Sequence, residues 1–148
     1  MTRKFLWLGS LSVLLASFYF VATMQFVPKG AAQVAESFLT LLSDGNLEQA
    51  YDLTSQRGLA GSLVENSLAE FKAKLGTNFS GFKNTAQLQY VFPFQSQGNR
   101  LRRWLRGQEI EMPEITFDYT IGQVPYSLRL IYRGKSQWRV LYFGAHAG

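Results

Sequence analysis

The stretch Asn99-Arg100-Leu101-Arg102-Arg103-Trp104-Leu105-Arg106-Gly107 places four arginines within seven residues, interleaved with Leu101, Trp104 and Leu105. A guanidinium binds carboxylates and phosphates through a planar fork, and arginine and tryptophan are enriched where interfaces concentrate their binding energy. Wound as a helix, the segment sets Leu101, Trp104 and Leu105 at i, i+3 and i+4 on one side. Arg100, Arg102, Arg103 and Arg106 then flank that stripe, a pattern suited to an acidic partner protein or to anionic lipid. The plainer reading is a long hairpin loop in which Trp104 tucks against a sheet. The arginines are then solvated or paired with Glu109, Glu111 and Glu114, and such exposed pairs contribute little. Both readings stand on sequence alone.

Acid-base chemistry has little to draw on. Asp118 shares a strand face with Thr116 and Thr120, opposite Ile115, Phe117, Tyr119 and Ile121, which reads as a solvated strand position. The one histidine, His146, lies in the terminal Gly144-Ala145-His146-Ala147-Gly148, so a Ser-His-Asp arrangement has no support. No histidine and carboxylate spacing suits a metal, and no glycine-rich loop joins a strand to a helix to cradle phosphate. With no cysteine, neither disulfides nor thiolate sites arise. The sequence therefore assigns no catalytic residue, no metal and no cofactor. Phe38, Tyr51, Phe71, Tyr90, Phe117 and Tyr119 could line an apolar ligand cavity, at positions where aromatics more often form core. Asn78-Phe79-Ser80 fits a glycosylation sequon, a pattern that also arises by chance.

The chain of 148 residues has room for one compact domain beyond its first thirty positions. The net charge of +5 is unevenly spread: residues 31–76 hold three basic and six acidic side chains, residues 77–148 nine basic and four acidic. Such asymmetry can steer a partner without identifying it. Residues 5–27 carry no charge and as a helix would measure about 34 Å, slightly more than a hydrocarbon core. Arg3 and Lys4 precede them, so the positive-inside rule expects residues 1–4 in the cytoplasm, a single-pass transmembrane helix over 5–27 and the remainder outside. The apolar run exceeds a signal-peptide core and lacks a well-placed small-x-small site, which favours a retained anchor over a cleaved signal. Expected partners are then the bilayer of the inner or plasma membrane and a protein in or near it. Nucleic acid is not expected on the outer side, which is the periplasm in a Gram-negative cell.

Residues 28–30 break the apolar run, and a domain over 31–148 follows. Val34, Phe38, Leu41 and Leu42 form a helical stripe; Gly45 suits a left-handed helix end, and Asn46 suits a cap for a second helix burying Leu47, Ala50 and Tyr51. Ser62 and Glu65 form a capping-box pattern before a third helix expected over 63–75, with Gly76 just past its end. The period then changes to two. Leu88, Tyr90 and Phe92, then Ile115, Phe117, Tyr119 and Ile121, then Tyr126, Leu128, Leu130 and Tyr132, and finally Trp138, Val140 and Tyr142 read as the inward positions of four antiparallel strands. Residues 78–84 are compatible with a short extra strand. Helices first and a strand meander after them indicate an α+β fold with about three helices on one face of a curved four-stranded antiparallel sheet.

The run Ala35-Glu36-Ser37-Phe38-Leu39-Thr40-Leu41-Leu42, the turn Ser43-Asp44-Gly45-Asn46, the continuation Leu47-Glu48-Gln49-Ala50-Tyr51-Asp52-Leu53-Thr54 and the ending Trp138-Arg139-Val140-Leu141-Tyr142-Phe143 resemble the nuclear transport factor 2-like superfamily, also called SnoaL-like or cystatin-like. The likeness is to its exported, membrane-anchored branches of unassigned function. The resemblance implies a cone-shaped domain over roughly residues 31–144, used across the superfamily for catalysis, ligand binding or association alone. The expected function is a membrane-anchored, non-enzymatic interaction domain, an accessory or scaffold subunit of a membrane complex. A small-ligand or isomerase-like cone and an anionic-membrane-surface module are the alternatives. The oligomeric state stays open.

Overall fold

The computed structural model describes residues 2–56, 67–75, 86–135 and 137–145, with side chains from residue 11 onward. The elements run α1 (Thr2–Thr23), α2 (Lys29–Ser43), α3 (Leu47–Asp52), α4 (Leu68–Leu75), β1 (Ala86–Phe92), α5 (Gln97–Leu105), β2 (Glu114–Ile121), β3 (Val124–Tyr132) and β4 (Trp138–Ala145). They form two compact units, Met1–Phe26 with Phe94–Glu111, and Val27–Pro93 with Met112–Gly148.

The larger unit is α+β. Its sheet has the order β1-β2-β3-β4, antiparallel throughout. The uninterrupted alternation of β2 and β3 sends Ile115, Phe117 and Ile121, and Leu128 and Leu130, into the core. Against them α2 buries Ala31, Ala35, Phe38, Leu39 and Leu42, a helical stripe that includes two of the four residues expected there, while Val34 and Leu41 are half-buried at its margin. The end of α2 is a Schellman motif: Asn46 N–H donates to the Leu41 carbonyl (2.9 Å) and Gly45 N–H to Leu42 (3.2 Å), with Gly45 at φ +75°, where a side chain would be strained. Asn46 starts α3 without a side-chain cap bond, contrary to expectation. Ser67 Oγ accepts from the Glu70 N–H (3.3 Å) at the start of α4. Residues 63–66 of the expected third helix lie outside the described residues. So do the Ser62 and Glu65 pair, Gly76, the extra strand over 78–84, Asn78 and His146.

Two strands depart from simple alternation, each at a bulge. In β1 the register shifts between Leu88 and Tyr90, so beyond the shift Val91 pairs with Phe117 and is half-buried, as Ala86 is at the start of the strand. Tyr90 and Phe92, expected to face inward, pair with Asp118 and Thr116 and are exposed; Leu88, ahead of the shift and opposite Tyr119, is also exposed, contrary to expectation. In β4 the register shifts opposite Arg129 and Leu130: Arg129 pairs with Tyr142 but Leu130 with Val140, which leaves Leu141 over and puts Phe143 rather than Tyr142 in the core. An extra residue reverses the facing of everything beyond it, because side chains alternate with period two. Beside β4, Ser55 N–H donates to the Val140 carbonyl (2.7 Å) and Val140 N–H to the Leu53 carbonyl (2.9 Å), a parallel bridge formed by the chain leaving α3.

The smaller unit pairs α1 with α5 and corrects the expectation of a membrane-spanning helix over 5–27. The helix stops at Thr23, whose hydroxyl turns back to the carbonyls of Tyr19 (3.0 Å) and Phe20 (2.9 Å). The next residues leave the helix for an antiparallel bridge of Gln25 with Ser96, bracketed by Phe26 N–H to Gln95 carbonyl (2.7 Å) and Gln97 N–H to Met24 carbonyl (3.1 Å). Among the described residues no helix is long and apolar enough to cross a membrane. The single-pass anchor, the cytoplasmic N-terminus and the extracytoplasmic placement of the domain all rested on that span and fall with it.

Candidate interaction site

The arginine-tryptophan segment is a helix. Ser96 opens α5 by accepting from the Asn99 N–H through its Oγ (3.1 Å), and Arg102 and Arg103 sit in its last turn, where cations complement the helix dipole. The stripe expected at i, i+3 and i+4 is present and faces outward: Leu101, Trp104 and Leu105 are 47%, 61% and 70% exposed. Large apolar side chains held this far into solvent along one helix face are uncommon unless the surface is used.

The arginines divide by role. Arg100 is spent within the unit: its Nη2 meets Glu111 Oε1 (3.3 Å), its Nη1 donates to Gln95 Oε1 (3.4 Å) and to the Ile110 carbonyl (3.3 Å), and its guanidinium stacks 3.7 Å from the centre of the Phe26 ring. It thereby ties together the chain entering and leaving α5. Arg102, Arg103 and Arg106 make no ion pair among the described residues. The expected pairing with nearby glutamates is met by Arg100 alone, through Glu111.

Beside the stripe runs a groove of about 460 Å³ between α1 and α5, walled by Phe18, Tyr19 and Ala22 on one side and Gly98, Leu101 and Leu105 on the other. Arg102 is its one charged wall residue among the described residues. The helices close on each other at Gly98, where an added Cβ would lie 3.0 Å from the Ala22 carbonyl oxygen. Gly98, Leu101, Arg102 and Leu105 stand at i, i+3, i+4 and i+7; the sequence pattern marks Leu101 and Leu105 as one face but groups them with Trp104 and leaves Gly98 unmarked. The α1 wall has no sequence signature at all, because an evenly apolar helix marks no face as the contact.

The proposed cavity residues lie in the larger unit and do not act as a set. Phe38 and Phe71 are fully buried with ring centres 6.4 Å apart; Tyr51 packs 5.4 Å from Phe71, and Phe38 meets Phe143 edge-on at 5.5 Å. Phe117 is buried and stacks on Tyr119 at 6.4 Å. Burial, followed by the negative charge of Glu36, pushes the Tyr119 phenol up to about 12. Tyr90 is 65% exposed, beside Phe92, on the sheet face opposite Phe117. Asp118 shares that outer face and, rather than being fully solvated as its strand position suggests, is half-buried and accepts from Ser127 Oγ (2.5 Å) across the β2 and β3 pair. Among the described residues no three histidine, aspartate or glutamate side chains converge to hold a metal ion. Comparison with protein-family models, curated proteins and solved structures finds no match for this chain.

Proposed function

We propose that this chain is a non-enzymatic protein-interaction module, an accessory subunit that docks through α5. The observation that carries the reading is the outward stripe of Leu101, Trp104 and Leu105 on a helix whose neighbouring Arg102, Arg103 and Arg106 have no internal ion-pair partner among the described residues. Connectivity supports it. Adjacent antiparallel strands β1 and β2 need a link of only about two to five residues. Here residues 93–113 join them and carry a nine-residue helix. Long connections with structure of their own commonly hold function. Close ring contacts among Phe38, Phe71, Tyr51 and Phe143 count against the alternative of a ligand-holding cone.

A photo-crosslinking side chain at position 104, introduced in living cells, tests this. The expected result is an adduct with one discrete protein that disappears when Arg102 and Arg103 are both changed to glutamate. Absence of any protein adduct from positions 101, 104 and 105 overturns the proposal.

A further inference from the structure

Resting on the reading of α5 as a docking element, we infer that the groove between α1 and α5 receives an amphipathic helix of a partner protein, with apolar side chains in the groove and an aspartate or glutamate on Arg102. Shape supports a helix. The α5 wall runs along Gly98, Leu101, Arg102 and Leu105, one helix face over two turns, and α1 supplies the facing wall through Phe18, Tyr19 and Ala22. Such a trough accepts side chains spaced i, i+3 and i+4 on a third helix. The volume of about 460 Å³ suits a few large apolar side chains.

Charge selects the partner's sign. Glu111 neutralises Arg100, whereas Arg102 in the groove wall and Arg103 and Arg106 beside it have no carboxylate among the described residues. Two of the groove's hydroxyls bond locally: Thr23 donates to the Tyr19 and Phe20 carbonyls, and Ser96 accepts from the Asn99 N–H. Among the described wall residues Arg102 carries the charge that attracts an incoming anion, and a guanidinium fork fits a carboxylate in two-point contact. Extent favours a protein over a small amphiphile. Apolar exposure continues from the groove onto Trp104 and along α1 through Leu14 and Leu15, more surface than a small molecule covers.

The chain has no cysteine, so Asn99→Cys gives a single labelling site at the groove for an environment-sensitive fluorophore. The labelled full chain is titrated with synthetic amphipathic peptides of one apolar pattern, bearing either glutamate or lysine beside the stripe, and separately with phosphatidylglycerol vesicles. The glutamate peptide is expected to bind saturably and about tenfold more tightly than the lysine peptide. Arg102→Glu is expected to reverse that order with unchanged far-ultraviolet circular dichroism. Should that variant not fold, Arg102→Gln is expected to abolish the difference between the peptides. Equal affinities, an order that Arg102→Glu leaves unchanged, or a response to vesicles and not to peptide overturns the proposal. Peptide failure with the position-104 protein adduct intact removes this inference alone. Loss of both removes the interaction reading as well.

Discussion

Gly98 lies so close to Ala22 that a Cβ on it would sit 3.0 Å from the Ala22 carbonyl oxygen and 3.3 Å from the Ala22 Cβ. The nearest atom belongs to the backbone of α1, which cannot swing aside as a long side chain could. Gly98→Val should therefore push the helices apart and cost about 1–3 kcal/mol of local stability, as overpacking does. Amide exchange across α5 should accelerate while exchange in β2 and β3 stays unchanged. Unchanged protection in α5 would show that the two helices do not depend on this approach.

Arg100 should matter differently from its neighbours. Arg100→Lys keeps the charge but loses the fork that reaches Gln95, Ile110 and Glu111 while stacking on Phe26. A loss of about 1–2 kcal/mol in the local stability of α5 is expected, with Arg102→Lys close to neutral. Amide exchange in α5 reads both variants.

Burial separates two aromatic residues that look alike in sequence. Phe38 is fully buried against Phe71 and Phe143, so Phe38→Ala should destabilise by about 3–5 kcal/mol. Tyr90 is exposed beyond a bulge, so Tyr90→Ser should change stability by no more than about 0.5 kcal/mol. Urea unfolding of the two variants makes the comparison, and similar midpoints would contradict the facing assigned to β1.

Tyr119 gives a pH signature. Its folded value of about 12 lies above its ordinary value of 10.0, so the folded state holds the phenolic proton more tightly than the unfolded state. That contribution is fully present below pH 10 and is lost as pH rises from 10 towards 12. Unfolding measured at pH 9 and at pH 11 should show a smaller loss for Tyr119→Phe than for the unaltered chain. Equal losses would mean that Tyr119 ionises alike in both states.

Where residues alternate without interruption, the sequence is enough. Ile115 to Ile121 and Tyr126 to Tyr132 face as their period indicates, and Leu101, Trp104 and Leu105 share a helix face as their spacing requires. Bulges defeat the same logic: one surplus residue near Gln89 and another at Leu141 reverse Tyr90 and Tyr142, and neither residue type announces it. The end of α1 was illegible for a related reason. Met24, Phe26 and Val27 are as apolar as the helix before them, and what stops it is pairing with Gln95 and Gln97, some seventy residues later in the chain. The groove inherits that difficulty, since half its wall comes from α1.

The stretch 53–55 contributes no strand of its own, yet it decides what β4 can join. By occupying the Val140 amide and carbonyl it denies an incoming chain the pairing sites from which edge-to-edge growth starts. The stretch is itself anchored: Thr54 Oγ1 donates to the Tyr51 carbonyl (2.7 Å), and Arg139 reaches across to the Asp52 carbonyl (2.6 Å). It works as a stopper against polymerisation on that flank, a safeguard suited to a protein that presents exposed apolar side chains elsewhere.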